Sequence, residues 1–225
     1  ILDGGMGRQL AAAGAPFRQP EWSALALMEA PETVRHAHEA FIAAGAEVIT
    51  TNSYALVPFH IGEARFAAGG RRLADLAGCL ARDAANGSGR EIMVAGSLPP
   101  LFGSYRPDLF DPVRAPALLE VLVAGLSPYV DLWLGETLGS IAEARAVAAA
   151  LAGDDRPLWL SYTLRDEDAD LSDPRLRSGE TVAEAAEEAV ELGAVAMLFN
   201  CSQPEVMAGA IEAAERAISG AGPRL

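Results

Sequence analysis

The chain has 225 residues, half of them apolar, with 31 acidic residues against 17 basic ones and a net charge of −14. Every basic residue is arginine, and an acidic chain without a basic cluster argues against nucleic acid or an anionic membrane as partner. No stretch is apolar enough to span a bilayer, and the two cysteines, Cys79 and Cys201, give no disulfide framework, so the expected compartment is reducing and cytoplasmic.

In chain order, Ile1-Leu2-Asp3 predicts the end of a first strand, and Gly4-Gly5-Met6-Gly7 a tight turn. Pro31 to Ala44 predicts a helix with Val34, Ala37, His38, Phe41 and Ile42 on one face, stopped by Gly45. Glu47 to Asn52 predicts strand two, Arg71 to Asn86 a helix, and Ile92 to Ser97 strand three. Asp111-Pro112 predicts a cap and first turn for a helix reaching Leu126. Asp131 to Glu136 predicts strand four. Ser140 with Glu143 caps the next helix, Pro157 to Thr163 predicts strand five, and Thr181 with Glu184 caps the helix after it. The apolar run from Ala194 to Phe199 predicts a sixth strand buried on both faces, and Ser202 with Glu205 a capping box for the last helix.

Six strand–helix units in strict alternation imply a parallel sheet with helical crossovers. Helix-to-strand connections are short, whereas the strand-to-helix loops Gly4–Ala30, Leu98–Phe110 and Leu164–Glu180 are long. That asymmetry suits a (β/α)8 TIM barrel, with its working face at the carboxyl ends of the strands, over an open doubly wound sheet. About six of eight units are present. The expectation is a single barrel domain over residues 1–225, trimmed at the N-terminus and lacking its C-terminal units.

The strand ends carry the candidate chemistry. Asp3 follows strand one, Glu136 ends strand four and Asn200-Cys201 ends strand six. A carboxylate at the end of a buried strand must find a partner or a ligand. Two carboxylates and a soft sulfur on one face suit an ammonium group and a metal. Thr51, Ser97 and Thr163 are read as loop hydrogen-bonders, His38 as a satisfied packing histidine, and Cys79 as inert. His36 and His60 have no evident partner. The run Arg165-Asp166-Glu167-Asp168-Ala169-Asp170 lacks the spacing of a calcium loop and reads as a solvated acidic loop. Gly4-Gly5-Met6-Gly7 has no phosphate-loop spacing.

Taken in order, Asp3-Gly4-Gly5-Met6-Gly7, Trp22-Ser23-Ala24, Pro31 through His38 to Phe41, Val48-Ile49-Thr50-Thr51-Asn52-Ser53-Tyr54, Val94-Ala95-Gly96-Ser97, Glu136-Thr137 and Phe199-Asn200-Cys201 resemble the homocysteine S-methyltransferase family. The resemblance implies a barrel enzyme of methionine biosynthesis that methylates the thiolate of L-homocysteine. It also implies Zn2+ held by three cysteines. Cys201 matches the first of these and is the implied metal ligand and catalytic residue. The other two form an adjacent pair near the family's C-terminus, and no such pair occurs here. Asp3 and Glu136 are the implied ligands of the amino-acid end of homocysteine, with Gly4, Gly5 and Asn200 lining the substrate and Trp22 facing the methyl donor. The betaine-dependent enzymes carry an extra aromatic where this chain has Ala55, which favours a sulfonium donor, S-methylmethionine or S-adenosylmethionine. The implied partners are small molecules, with a homo-oligomer possible. The rival reading is a catalytically silent relative that binds a thiol or an amino acid.

Overall fold

The computed structural model describes residues 1–167 and 172–218. Five strands alternate with helices and follow one another through the sheet in chain order: β1 (Val48–Thr50), β2 (Met93–Leu98), β3 (Leu132–Leu138), β4 (Leu158–Tyr162) and β5 (Ala196–Phe199). Predicted strand one shrinks to a single parallel bridge, Leu2 to Val48. Parallel strands laid down in sequence, each crossing over through a helix, are the topology of a (β/α)8 barrel. Five strands and one bridge account for the six units expected.

The chain packs as two compact units. The first comprises residues 1–98 and 117–133. Here β1 pairs with β2 in the register Val48–Met93, Ile49–Val94 and Thr50–Ala95. The helices are α1 (Met6–Ala12), α2 (Ser23–Glu29), α3 (Pro31–Ala43), α4 (Pro58–Ile61), α5 (Glu63–Gly87) and most of α6 (Ala115–Leu126). Leu10, Leu27, Ile49, Val94, Leu119, Leu122 and Trp133 are buried among them. Two glycines allow close approach. A Cβ on Gly125 would stand 2.7 Å from the Arg71 carbonyl on α5, and one on Gly96 2.8 Å from the Trp133 ring, so neither position has room for a side chain.

Several expectations for this unit change. The loop from Gly4 to Ala30 holds α1 and α2, so it is largely helical, and α5 begins eight residues before the predicted Arg71. Asp111 accepts from the amides of Val113 and Arg114, at 2.9 and 3.2 Å. It thus closes a turn, and α6 begins only at Ala115. His38 is fully buried on α3 as predicted, but neither ring nitrogen has a partner; it packs without being satisfied.

The second unit comprises residues 99–116 and 134–225. There β4 pairs with β5 from Trp159–Ala196 to Tyr162–Phe199, and the Thr163 amide reaches the Leu138 carbonyl at the end of β3. Three helices complete it: α7 (Ile141–Ala150), α8 (Val182–Glu191) and α9 (Pro204–Ala217). Both local caps hold. Ser140 accepts from the Glu143 amide, and Thr181 with Glu184 forms a reciprocal capping box. The third does not: α9 is preceded by Gln203 with no side-chain cap, because the Ser202 hydroxyl is taken by the Leu164 amide at 2.8 Å. Nor is β5 buried on both faces. Only Met197 is fully covered, and Ala196, Leu198 and Phe199 are half-buried; β5 pairs with β4.

Candidate active site

In the first unit, Asp3 stands just beyond the Leu2 bridge. Its carboxylate accepts from the Thr50 amide at 2.7 Å and the Thr50 hydroxyl at 2.9 Å. Burial pushes its pKa up to about 6, and the two Thr50 bonds restrain that rise. A Cβ on Gly4 would meet the Phe41 ring at 3.0 Å, whereas one on Gly5, the residue before α1, would meet nothing within 4 Å. Close packing therefore explains Gly4 but not Gly5.

Trp22, at the start of α2, is 41% exposed and sits in the left-handed region with φ of 48°. Its ring lies edge-on to Phe17 at 6.3 Å and tilted against His60 at 6.0 Å. His60 also meets Tyr54 and Phe59, at 6.5 and 5.1 Å, and its Nδ1 pairs with the Pro20 carbonyl at 3.0 Å. Burial holds the pKa of His60 below its usual value. Sequence reasoning left His60 unpartnered. The structure makes it the centre of an aromatic cluster around Trp22, and an aromatic face of this kind attracts a sulfonium or quaternary ammonium methyl.

In the second unit, Cys201 follows β5 as an exposed free thiol with φ of 54°. The Asn200 amide donates to the Thr137 hydroxyl at 2.8 Å and to the Cys201 sulfur at 3.4 Å, while its Oδ1 accepts from Ser161 at 2.9 Å. The Thr137 hydroxyl stands 3.9 Å from the sulfur. Thr163 donates to the Cys201 carbonyl at 3.2 Å. Asn200 thus holds the loop, and Thr163 is the loop hydrogen-bonder expected of it. Glu136 lies half-buried on β3, next to Thr137.

Tyr105, which sequence reasoning missed, neighbours Cys201. Burial first, then the neighbouring thiol, pushes its pKa up to about 12. The Arg177 guanidinium lies 5.0 Å over the Tyr105 ring and pairs with Asp166 at 3.0 Å. Asp166 in turn accepts from the Gln203 amide at 3.0 Å, just before α9. That part of the acidic run is therefore structural, not solvated; Asp168, Ala169 and Asp170 lie outside the described residues.

Among the described residues, the non-glycine positions with positive φ are Trp22, Tyr105, Thr137 and Cys201. Such conformations cost roughly 1–3 kcal/mol each and persist where function or packing over-determines them. Two of the four, Thr137 and Cys201, meet at the Cys201 sulfur.

A family model described as homocysteine S-methyltransferase matches residues 1–222. The chain belongs to the homocysteine S-methyltransferase family. It is 31% identical over 194 residues to the homocysteine S-methyltransferase of Escherichia coli strain K12, covering 75% of this chain and 59% of that protein. It is 27% identical over 242 aligned residues to the selenocysteine methyltransferase of Astragalus bisulcatus, covering 91% and 68%. The chain thus spans 59% of the length of the E. coli relative. Among solved structures, the metallated form of the homocysteine methyltransferase MmuM from E. coli aligns with a TM-score of 0.80 at 30% identity, over 94% of this chain and 78% of that one. The apo form of the same protein aligns with a TM-score of 0.71 at 27% identity.

The metallated neighbour raises the question of a metal here. Among the described residues, no group of three histidine, cysteine, aspartate or glutamate side chains is placed to hold one. Cys201 offers a single sulfur among hydroxyl and amide partners, a poor donor set for a soft metal. The described residues do not make a zinc site by themselves. No helix among them is long and apolar enough to cross a membrane.

Proposed function

We propose that this chain is the homocysteine-binding domain of a methyltransferase that moves a methyl group from a sulfonium donor, S-methylmethionine or S-adenosylmethionine, to L-homocysteine. The observation that carries the reading is Cys201. In a chain of this family, it stands at the carboxyl end of a parallel strand, held by Asn200 and Thr137 in a conformation that costs backbone energy.

In the reaction the homocysteine thiol gives up its proton, because only the thiolate is a competent nucleophile. The sulfur attacks the methyl carbon of the donor. A new carbon–sulfur bond forms, the old one breaks, and its electron pair stays on the donor sulfur, which departs as a neutral thioether. The acceptor becomes methionine. Asp3 and Glu136 are proposed to bind the ammonium end of homocysteine, and the aromatic cluster around Trp22 to receive the cationic methyl group of the donor. If the working protein holds Zn2+, Cys201 would supply one thiolate, and the adjacent cysteine pair that the family resemblance implies is not among these residues. A zinc-bound thiol is deprotonated outright. A reducing, cytoplasmic setting and small-molecule partners belong to the same reading.

The second reading is a thiol- or amino-acid-binding protein without turnover. Mass-spectrometric detection of methionine from homocysteine, with each donor supplied separately, distinguishes the two. Methionine is expected with a sulfonium donor and not with betaine. Homocysteine binding without methionine from either sulfonium donor would establish the second reading.

A further inference from the structure

We propose that His60 is a positioning residue for Trp22, gripping the turn that ends in the indole and so holding the aromatic face in place. His60 sits on α4, a single turn fixed from within: the His60 and Ile61 amides both donate to the Val57 carbonyl at 3.0 Å. Val57 and Ile61 are buried, and His60 itself is 6% exposed. Its Nδ1 lies 3.0 Å from the Pro20 carbonyl. A carbonyl only accepts, so Nδ1 carries a proton and donates it. Burial holds the pKa of His60 below 6.5, so at pH 8 the ring is neutral and adds no charge that would repel a cationic methyl group.

Pro20 lies inside a tight turn, closed by the Trp22 amide donating to the Arg18 carbonyl at 2.7 Å. His60 therefore holds this turn twice. It bonds the Pro20 carbonyl in the middle, and its ring meets the indole at the end, 6.0 Å away and tilted by 53°. Trp22 needs such a hold. Its backbone is left-handed, its ring is exposed, and Phe17, whose ring also meets it, is 39% exposed itself. The charged contacts of the same turn are weaker. Glu21 pairs with Arg18 at 3.4 Å and with Arg65 of α5 at 3.6 Å, and both arginine side chains are largely exposed. Pairs of that kind contribute about 0–1 kcal/mol. The bond and ring contact from α4 are thus what fix where the indole stands.

The inference rests on the reading that Trp22 faces the methyl donor, but its first test needs no donor. In protein labelled with 5-fluorotryptophan, the Trp22 fluorine resonance is assigned by its loss in Trp22→Phe and told apart from those of Trp133 and Trp159. One narrow Trp22 line is expected from the unaltered chain. His60→Phe keeps a ring against the indole but leaves the Pro20 carbonyl without its donor. Its Trp22 line is expected to broaden or split, with the other two lines and the circular dichroism unchanged. His60→Asn returns an N–H to the carbonyl and is expected to restore the narrow line. In turnover at pH 8, His60→Phe is expected to raise KM for S-methylmethionine about fivefold, the factor equivalent to one ordinary hydrogen bond of about 1 kcal/mol, with kcat and KM for homocysteine unchanged. A narrow Trp22 line in His60→Phe, or an equally broad one in His60→Asn, would overturn the inference. A broad line in His60→Phe with an unchanged KM for S-methylmethionine would leave His60 as the residue that positions Trp22 and instead remove Trp22 from the donor site, so the two failures are told apart.

Discussion

Asp3 and Cys201 occupy comparable places, each just past the end of a parallel strand or bridge, yet their surroundings differ. Asp3 is satisfied by one neighbour, Thr50, which donates both an amide and a hydroxyl to the carboxylate. It is not among the residues with positive φ, and its burial shows as a pKa raised to about 6. Cys201 is approached by Asn200 from its own loop and by Thr137 from β3, and both it and Thr137 have left-handed backbones. Both ends are built by contacts between segments distant in sequence, but one neighbour suffices for the carboxylate, whereas the sulfur is met by its own loop and by β3. A charge at a strand end can thus be stabilised cheaply, whereas an oriented sulfur needs a framework around it.

If the carboxylates bind the ammonium end of homocysteine, Asp3→Asn and Glu136→Gln are each expected to lower kcat/KM for homocysteine about ten- to a hundredfold. This is the range of one charged hydrogen bond of about 1.5–3 kcal/mol. Steady-state kinetics with circular dichroism checks both. Unchanged kcat/KM in Asp3→Asn would make the Thr50 contact purely structural and sharpen the contrast with Cys201.

His38 gives the next effect, on stability. Burial lowers its pKa from 6.5 to about 4, so between those values the unfolded chain binds a proton that the folded chain does not. Stability is therefore lost as pH falls from 6.5 towards 4, at up to about 1.4 kcal/mol per unit. Asp3 and Glu143, raised to about 6 and about 7 mainly by burial, act in the opposite sense: each costs stability as pH rises from its ordinary value to its folded one. His38→Leu is expected to raise the urea midpoint at pH 5 more than at pH 8, and so to flatten the acid side of the stability profile. A midpoint shift independent of pH would show that only the orphaned ring nitrogens, and not protonation, were at issue.

The smallest effect is local. Thr181→Ala removes one half of the capping box on α8 and should cost about 1 kcal/mol, read as a lower urea midpoint with Cys201 alkylation unchanged.

These contrasts track what the sequence makes legible. The caps at Ser140 and Thr181 and the buried faces of α3 and α8 lie within a few residues of one another, so pattern alone reveals them. The helices α1, α2 and α4 escape notice because each is short and none has a side-chain cap. Ser202 carries the spacing of a cap, but its hydroxyl faces a competing donor, the Leu164 amide, that only the fold brings near. At the candidate site, Asp3, Trp22, Glu136, Asn200 and Cys201 are recognisable by residue type at strand ends and by family resemblance. Tyr105, Arg177 and His60 are not, and Thr137 enters the resemblance only beside Glu136, with no role attached to it. They are recruited by backbone conformation and by contacts between distant segments, and the positive φ of Tyr105 and Thr137 leaves no mark in residue type.

The central claim is that the sulfur at the end of β5 is the centre of methyl transfer. Its most direct test is methionine formation from homocysteine and S-methylmethionine by the protein and by its Cys201→Ser variant, at matched concentration and with matched circular dichroism. The account predicts methionine from the first and none above background from the second. Equal rates from both would contradict it.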